Sequence, residues 1–572
     1  MQKIETLDGY HVYYIRKGKK YNYLADRDNY KKDINALLKT VDDIKFDSLI
    51  IIFGIDTGEY LEDLYKLLCS KNRILIFEPN KEIFDENQNN INSDNVKLVF
   101  YDGNSVKSKL YSIINITNFN NLYVHAFGNY SSVYREEYET FMENLECVYY
   151  TACSSISIAN RFREVFIRNL IGNLKSLNSA VPLNLYENIN RGIPAIIVSA
   201  GPSLDKNIQQ MVKYKRYLDK YFIIAGSRTL KAMLQNGIRP DMVVSIDPVY
   251  DNYDMMKDYL EEDIPLAFYE YSNRYLIRDY KGKKIYLSTL LSKTIPKLSG
   301  LKGVYLGGSV AHTCVDIANF MACSPIILVG QDFAFTYGKH HSDSSIFHGD
   351  KKNRYDADFN VKDIFGKEVK TNVTLNQFKT KIEEYISFQS RVNNVEFINA
   401  SYGAEIKGAP HMELCDVFKI YKVQNTKKNC VVDNKFIEID AENIACNILE
   451  YVKRCIDAAS EGEELCKDLL SVKSYKSLMD MDEDDVELEK FLHVMGIVGG
   501  FESSLGRLYL GGYFNKFLFD IKEETFNMSA KEYDSLTSNL RYQSKCFLAY
   551  FKKMKDFLRE VESIMAEIMA EF

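Results

Sequence analysis

The sequence predicts an α/β protein with three parts. These are a Rossmann-like N-terminal domain, a central doubly wound α/β domain and an α-helical C-terminal domain. Three observations predict it. Ile193 to Val198 is a short, mostly β-branched apolar run that ends abruptly at Ser199-Ala-Gly-Pro-Ser-Leu204, the pattern of a buried parallel strand, a tight turn and a helix start. The same alternation recurs before and after it. From about Lys435 onward the apolar spacing becomes helical. The expected domains are 1–135, connecting helices at 136–186, the central domain at 187–430 and the helical domain at 431–572.

Length and charge narrow the function. A chain of 572 residues is too long for one core. Its formal net charge of −7 argues against a binder of nucleic acid or anionic membrane. No apolar run reaches the length of a membrane span, and the N-terminus Met-Gln-Lys-Ile-Glu-Thr-Leu has no secretory core. The eleven Cys show no C-x-x-C spacing, so reduced thiols and a cytoplasmic location are expected.

In the first third, Ser48 to Gly54, Arg73 to Glu78 and Val96 to Tyr101 read as strands, with helices after the first two. Gly54-Ile-Asp-Thr-Gly58, with Glu78 closing the next strand, resembles a nucleotide or S-adenosylmethionine site but lacks the full G-x-G-x-x-G. A degenerate scaffold whose glycines only make the turn is the expectation. Tyr134 to Leu177 mixes charged and apolar residues at helical spacing and reads as connecting helices.

The central domain carries the candidate chemistry. After Ile193–Val198 come strands at Tyr221–Ala225, Met242–Asp247, Ile264–Phe268, Lys284–Leu287, Gly303–Leu306 and Pro325–Val329. Ligands of open parallel sheets bind outside the carboxyl ends of the strands. Four such ends hold special residues: Ser199, Gly201, Pro202, Ser203 and Leu204; Gly226, Ser227 and Arg228; Asp247; and Gly307, Gly308 and Ser309. Gly201 permits close backbone approach, Pro202 presets a helix entry and Ser203 can cap it. Free amides at a helix N-terminus attract an anion, so a nucleotide phosphate is expected there. Ordinary βα turns, close helix–strand packing and a cap at Asp247 use the same residue types. Asp332 follows a buried strand, where an unpaired charge is costly, and is either a cap or a site acid.

Beyond it lie His340, His341 and His348, three of the eight His in a polar, loop-like stretch. Imidazole suits proton abstraction from an alcohol near neutral pH. Metal binding by these His lacks a third ligand at recognisable spacing. Asp356-Ala-Asp358 has the D-x-D look of many glycosyltransferases but sits in a polar loop and reads as a solvated turn. No metal ligand is assigned.

Taken in order, Ile197-Val-Ser-Ala-Gly-Pro-Ser-Leu204, Gly226-Ser-Arg228, Gly237-Ile-Arg-Pro-Asp-Met-Val-Val-Ser-Ile-Asp247, Gly330-Gln-Asp-Phe-Ala-Phe335, Gly338-Lys-His-His341 and Phe397-Ile-Asn-Ala-Ser-Tyr-Gly403 resemble the motility-accessory-factor (Maf) family of flagellin glycosyltransferases. The resemblance covers about residues 190 to 410. Tyr402 stands where the family often has Gly. The same domain resembles bacterial sialyltransferases that use CMP-sialic acid, through the Gly-Pro-Ser-Leu turn and the Gly-Ser helix start.

The resemblance implies a sialyltransferase-like central domain and a function in flagellum assembly and motility. It implies a CMP-activated nonulosonic acid as donor, legionaminic, pseudaminic or related, and flagellin Ser/Thr hydroxyls as acceptor, with no tightly bound cofactor and the metal requirement open. On this basis Gly201–Leu204 and Gly307–Ser309 would hold the leaving phosphate. Ser199, Gly226, Ser227, Arg228 and Asp247 would position the donor, and His341, then His340, then His348 would take the acceptor proton. Direct displacement would invert the anomeric carbon. Two other functions fit the turn: an ATP-dependent hydroxymethylpterin pyrophosphokinase, which would lack a Walker A lysine, and a non-catalytic nucleotide scaffold that holds flagellin.

The C-terminal stretches Ile437–Leu470, Val486–Val498 and Ser535–Phe572 read as helices. The acidic run Asp480–Asp485 reads as a solvated linker. Gly499-Gly-Phe and Gly511-Gly-Tyr-Phe mark kinks or a surface that receives the acceptor.

Overall fold

The protein is described by a computed structural model. It covers residues 1–17, 20–89, 91, 94–103, 105–115, 118–347, 356–421, 428–430, 432–472, 477–504 and 511–572. The chain forms two compact units, Met1–Arg163 with Val452–Glu560, and Glu164–Tyr451 with Val561–Phe572.

The first unit opens with an antiparallel meander that the sequence did not announce: β1 (Gln2–Glu5), β2 (His11–Lys17) and β3 (Lys20–Tyr23). A parallel sheet follows, made of β4 (Leu49–Phe53), β5 (Arg73–Glu78), β6 (Val96–Phe100) and β7 (Leu122–Ala126), in the order β6-β5-β4-β7. β4 is buried along its whole length, which is why it reads as Leu-Ile-Ile-Ile-Phe without alternation.

The first turn of this Rossmann-like sheet is filled by protein. A Cβ on Gly54 would lie 2.3 Å from the Tyr130 ring, and Gly54 has φ +99°. Tyr130 donates its hydroxyl to Glu78 Oε2 at 2.8 Å, and Ile55 N and Asn80 N donate to the same carboxyl at 3.0 and 2.8 Å. The acid that could have met a ribose is therefore committed to its own turn.

The C-terminal helices exist, but Val452–Glu560 belongs to this first unit rather than to a domain of its own. Phe519, on helix Gly511–Thr525, stacks on Phe119 at 5.6 Å. Tyr533 stacks on Phe46 at 5.3 Å, and Ala530 N donates to Ile44 O. The apolar stripes of these helices find their partners on the N-terminal fold, so the boundary at 431 does not divide compact units. The connecting segment is one helix, Arg135–Leu177, not several.

The second unit is built on eight parallel strands. They are β8 (Ala180–Pro182), β9 (Ala195–Val198), β10 (Phe222–Gly226), β11 (Met242–Ser245), β12 (Leu266–Phe268), β13 (Lys284–Tyr286) and β14 (Ile326–Val329), followed after an antiparallel hairpin, β15 (Phe359–Lys362) and β16 (Glu368–Thr371), by β17 (Phe397–Asn399). The order is β17-β14-β9-β10-β11-β12-β13-β8. β8 places Ala180–Pro182 in this sheet, ahead of the boundary at 187 expected from sequence. Residues 303–306, expected as a strand, are irregular. Their amides go elsewhere: Tyr305 N to Asp316 Oδ2, and Val304 N to Ser288 O.

Successive residues of each central strand face opposite cores. Ile197, Ile224 and Val244 enter one, while Ile196, Ile223 and Val198 enter the other. β9 pairs with β10 on one side and β14 on the other, so the direction of winding reverses between β9 and β14. That reversal opens a crevice at the carboxyl ends of the two strands.

One wall of the crevice is latched by a histidine that sequence reasoning passed over. His312, in the first turn of helix Val310–Phe320, is fully buried and places Nε2 2.9 Å from Phe378 O on helix Val373–Val392. A Cβ on Gly307 (φ +58°) would lie 2.5 Å from His312 Cβ, so the turn passes directly over the imidazole. Burial drives the His312 pKa down to about 4, against the pull of the Phe378 carbonyl.

Two predictions come from this packing. Gly54→Ala should destabilise the first unit by about 2 kcal/mol or more, since it combines a positive φ with a ring contact, and urea unfolding measures this. For His312, an unfolded chain takes up a proton near pH 6.5 that the folded chain refuses until about pH 4, so stability is lost as pH falls through that window. His312→Gln should lose less stability than wild type between pH 7 and about pH 5 in paired urea titrations.

Candidate functional site

In the second unit, a cavity of about 320 Å³ lies at the carboxyl ends of β9, β10, β11 and β14. Of the residues expected from sequence, Ser199, Gly201, Gly226, Ser227, Arg228, Asp247, Gly308, Ser309, Asp332, His340 and His341 line it. Pro202, Ser203, Leu204 and Gly307 do not. Leu204 is fully buried in the core beneath the sheet, and Gly307 packs over His312. Gln331, Thr229, Val310, Ala311, Leu375 and Phe378 complete the wall.

The expected phosphate grip at Gly201–Leu204 is contradicted. Gly201 N donates to Gly330 O at 2.8 Å, and Leu204 N to Gly201 O at 3.0 Å. Pro202 has no N–H. Ser203 N and Oγ both donate to Asp332 Oδ2, at 3.0 and 2.8 Å. The anion at this helix N-terminus is the protein's own carboxylate. Gly201 is Gly because a Cβ there would lie 2.3 Å from Asp332 Oδ2 and 2.4 Å from Gly330 O. Of the two roles open to Asp332, Oδ2 fills that of the cap, while the residue also lines the cavity. Burial pushes its pKa up to about 6, and the hydrogen bonds from Ser203 oppose that rise.

Two other helix N-termini face the cavity. Helix Ser227–Gln235 starts directly at the end of β10, with Gly226 at its cap position and no side-chain cap. Helix Val310–Phe320 starts at Ser309, also without a side-chain cap. A Cβ on Gly226 would lie 3.2 Å from Val310 Cγ1, so the two starts approach closely. The first amides of a helix have no partner within it, and its dipole favours an anion there. Ser227 Oγ donates to Asn252 Oδ1 at 2.7 Å, which turns the hydroxyl into the fold and leaves its backbone at the cavity.

Arg228 adds a fixed cation. Asp247 reaches open space through the cavity although protein surrounds it. That enclosure raises its pKa, and Arg228 counters the rise.

The histidines sit on a loop fastened at both ends. On one side, Phe335 N donates to Lys370 O on β16. On the other, Ser342 N donates to Ala200 O at 3.0 Å, and Asp205 accepts Asp343 N at 2.9 Å and Ser344 N at 3.3 Å. Between the anchors, the His340 and His341 rings meet edge to face with centroids 4.4 Å apart. His348 lies outside the described residues. The arrangement offers two uncapped helix starts, the Asp247 carboxylate with the Arg228 cation, and two imidazoles around one volume.

Some partners were not foreseen. Gln331 accepts Ser199 Oγ at 2.7 Å, and its own N–H donates to Ser401 Oγ at 2.7 Å. It sits in the quoted Gly330-Gln-Asp332 segment, so the strand-end rule could have flagged it. Asp205 could have been read only as a first-turn acid. Leu375 and Phe378 come from a helix whose sequence carries no local sign of a site. Of the D-x-D pair, Asp358 accepts Val373 N at 3.0 Å and so serves the start of that helix. Among the described residues no three His, Cys, Asp or Glu converge. No helix among them is long and apolar enough to cross a membrane.

Residues 168–338 match a family model described as 6-hydroxymethylpterin diphosphokinase MptE-like. A stretch of 100 residues, 18% of the chain, is 34% identical to an uncharacterized protein of Treponema pallidum (strain Nichols), and the match spans 45% of that relative. Among solved structures, the Maf glycosyltransferase from Magnetospirillum magneticum AMB-1 aligns over 99% of this chain and 92% of its own, with a TM-score of 0.58 and 13% identity. The chain thus has the fold of that Maf glycosyltransferase along nearly its whole length, and the segment matched by the family model lies in the second unit.

Proposed function

We propose that the chain is a glycosyltransferase that moves a nonulosonic sugar, legionaminic, pseudaminic or related, from a CMP-activated donor to Ser/Thr hydroxyls of a protein acceptor such as flagellin. The observation that carries this function is the cavity at the β9/β14 reversal, where two uncapped helix starts and two histidines face one volume. The shared fold supports it, since the solved structure with that fold is titled a glycosyltransferase.

In this mechanism the phosphate rests on the first-turn amides after Gly226 and Ser309, not on Gly201–Leu204. Arg228 neutralises it. The acceptor oxygen attacks the anomeric carbon, the carbon–oxygen bond to phosphate breaks, and CMP leaves with that electron pair. His341 takes the acceptor proton, with His340 as the second choice. Attack opposite the leaving group inverts the centre. Phe378, Leu375 and the anchored 336–346 loop keep water from the donor.

A second function is favoured by one observation, the match of residues 168–338 to the MptE-like model. A diphosphokinase would place ATP at the same helix starts and transfer a diphosphate to a pterin hydroxyl.

Two measurements discriminate. In thermal-shift titrations CMP should raise Tm more than ATP does, and stabilisation by ATP with none by CMP would favour the diphosphokinase. In donor turnover with flagellin or a Ser/Thr peptide, His341→Ala should lower kcat by about 100-fold or more at unchanged Tm. A wild-type rate in that variant removes His341 from the reaction.

A further inference from the structure

We propose that Asp332 is a positioning residue: its buried carboxylate takes the place of a bound anion at the first strand–turn–helix, and from there it fixes the loop that carries His340 and His341 over the cavity.

The carboxylate itself binds Ser203 N and Oγ at the start of helix Leu204–Lys213. The turn and helix start that it pins carry Ala200 and Asp205, which accept Ser342 N, and Asp343 N and Ser344 N, of the histidine loop. The Asp332 carbonyl accepts Ala404 N at 2.8 Å, in the segment after β17. A Cβ on Gly403 would lie 2.3 Å from that carbonyl, and one on Gly201 would lie 2.3 Å from Oδ2. Asp332 is therefore enclosed by two glycines that leave room for nothing larger.

The chemistry of the enclosure is anion binding. A helix N-terminus with an unengaged amide and a hydroxyl is suited to a phosphate or carboxylate oxygen. Here the occupant is covalently attached, so it cannot exchange with substrate. Its effect on the cavity is geometric. Thr336 begins a tight run in which Tyr337 has φ +57° and Gly338 φ +74°, and Gly338 N donates to Phe335 O. That run delivers His340 directly to the cavity wall. The far end of the loop is held by Asp205 and Ala200 of the same strand–turn–helix. Two carboxylates, Asp332 and Asp205, thus register the imidazoles against the helix starts at Ser227 and Val310.

The test has an arm that needs no substrate and an arm that rests on the transferase function. In the first, excess sodium formate is titrated into full-length Asp332→Ala and wild type, with sodium chloride at matched ionic strength. Formate should refill the carboxylate site and raise Tm of the variant by about 3 °C while leaving wild type unchanged. A variant that folds and ignores formate overturns the proposal. In the second arm, donor turnover by Asp332→Ala should show kcat lowered by about 100-fold with KM within about threefold of wild type, and formate should restore at least about tenfold of the loss. Unchanged kcat, or a loss confined to KM, also overturns it.

Should Asp332→Ala fail to fold, the isosteric Asp332→Asn takes its place in the second arm. It is expected to show the same split in kcat and KM, and wild-type kcat in it refutes the role. A wild-type protein that turns over no CMP-sugar defeats the transferase function alone and leaves the formate result standing.

Discussion

The hydrogen bonds between the Asp332 carboxylate and Ser203 decide which strand end of the central sheet is filled by protein. A buried carboxylate costs several kcal/mol unless donors surround it, and a helix N-terminus is costly to bury unless an acceptor meets it. Asp332 Oδ2 and the Ser203 donors meet each other's need. Joining them closes the most conspicuous anion site of the chain, the Gly-Pro-Ser-Leu turn, and leaves the neighbouring helix starts to face the open volume. Gly201, Gly330 and Gly403 then read as a consequence: at each, a Cβ would strike the backbone or carboxylate of this one junction within 2.4 Å.

The same device appears elsewhere in the chain. Glu78 takes Ile55 N, Asn80 N and the Tyr130 hydroxyl in the first unit. Glu270, at the end of β12, takes Thr289 Oγ1, Leu290 N and Leu291 N at 2.5, 2.5 and 3.2 Å. Parallel sheets generate such amide clusters at every carboxyl edge, whether or not a ligand is wanted. An internal carboxylate satisfies the cluster permanently. The starts at Ser227 and Val310 receive no side-chain cap and lie against a cavity, which sets them apart from the satisfied ones.

Much of this was legible in the sequence because strand ends are legible. Apolar runs broken by Gly or Pro marked most of the central strands; Ala180–Pro182 was missed, and Gly303–Leu306 is irregular because its amides are drawn off by Asp316 and Ser288. The rule that ligands gather at those ends brought Ser199, Arg228, Asp247, Ser309 and both histidines to one cavity. Whether a given end is open or filled was not legible. That depends on which side chain reaches it from far along the chain: Asp332 lies 129 residues from Ser203, and Tyr130 lies 52 from Glu78. The allocation of the C-terminal helices failed for the same reason. An amphipathic stripe declares that it needs a partner and does not say which one, and Phe519 and Tyr533 find theirs on Phe119 and Phe46.

The support beneath the open helix start follows from the same logic carried one layer deeper. An anion held by backbone amides is held only as well as the backbone is fixed, and Gly307 and Gly308, at φ +58° and +92°, are the residues least able to fix themselves. His312 supplies the constraint. Its ring fills the space under Gly307, Tyr305 and Phe378 pack edge-on against it, and its Nε2 meets the Phe378 carbonyl. Phe378 is also part of the cavity wall. A single imidazole therefore couples the Gly307 turn to the helix that carries Phe378 into the cavity wall. Its pKa, driven down to about 4, keeps it neutral at neutral pH. The fold thus gives histidine two incompatible tasks and separates them by burial: His312 as a fixed hydrogen-bonding strut, His340 and His341 as rings on an anchored loop with access to the cavity.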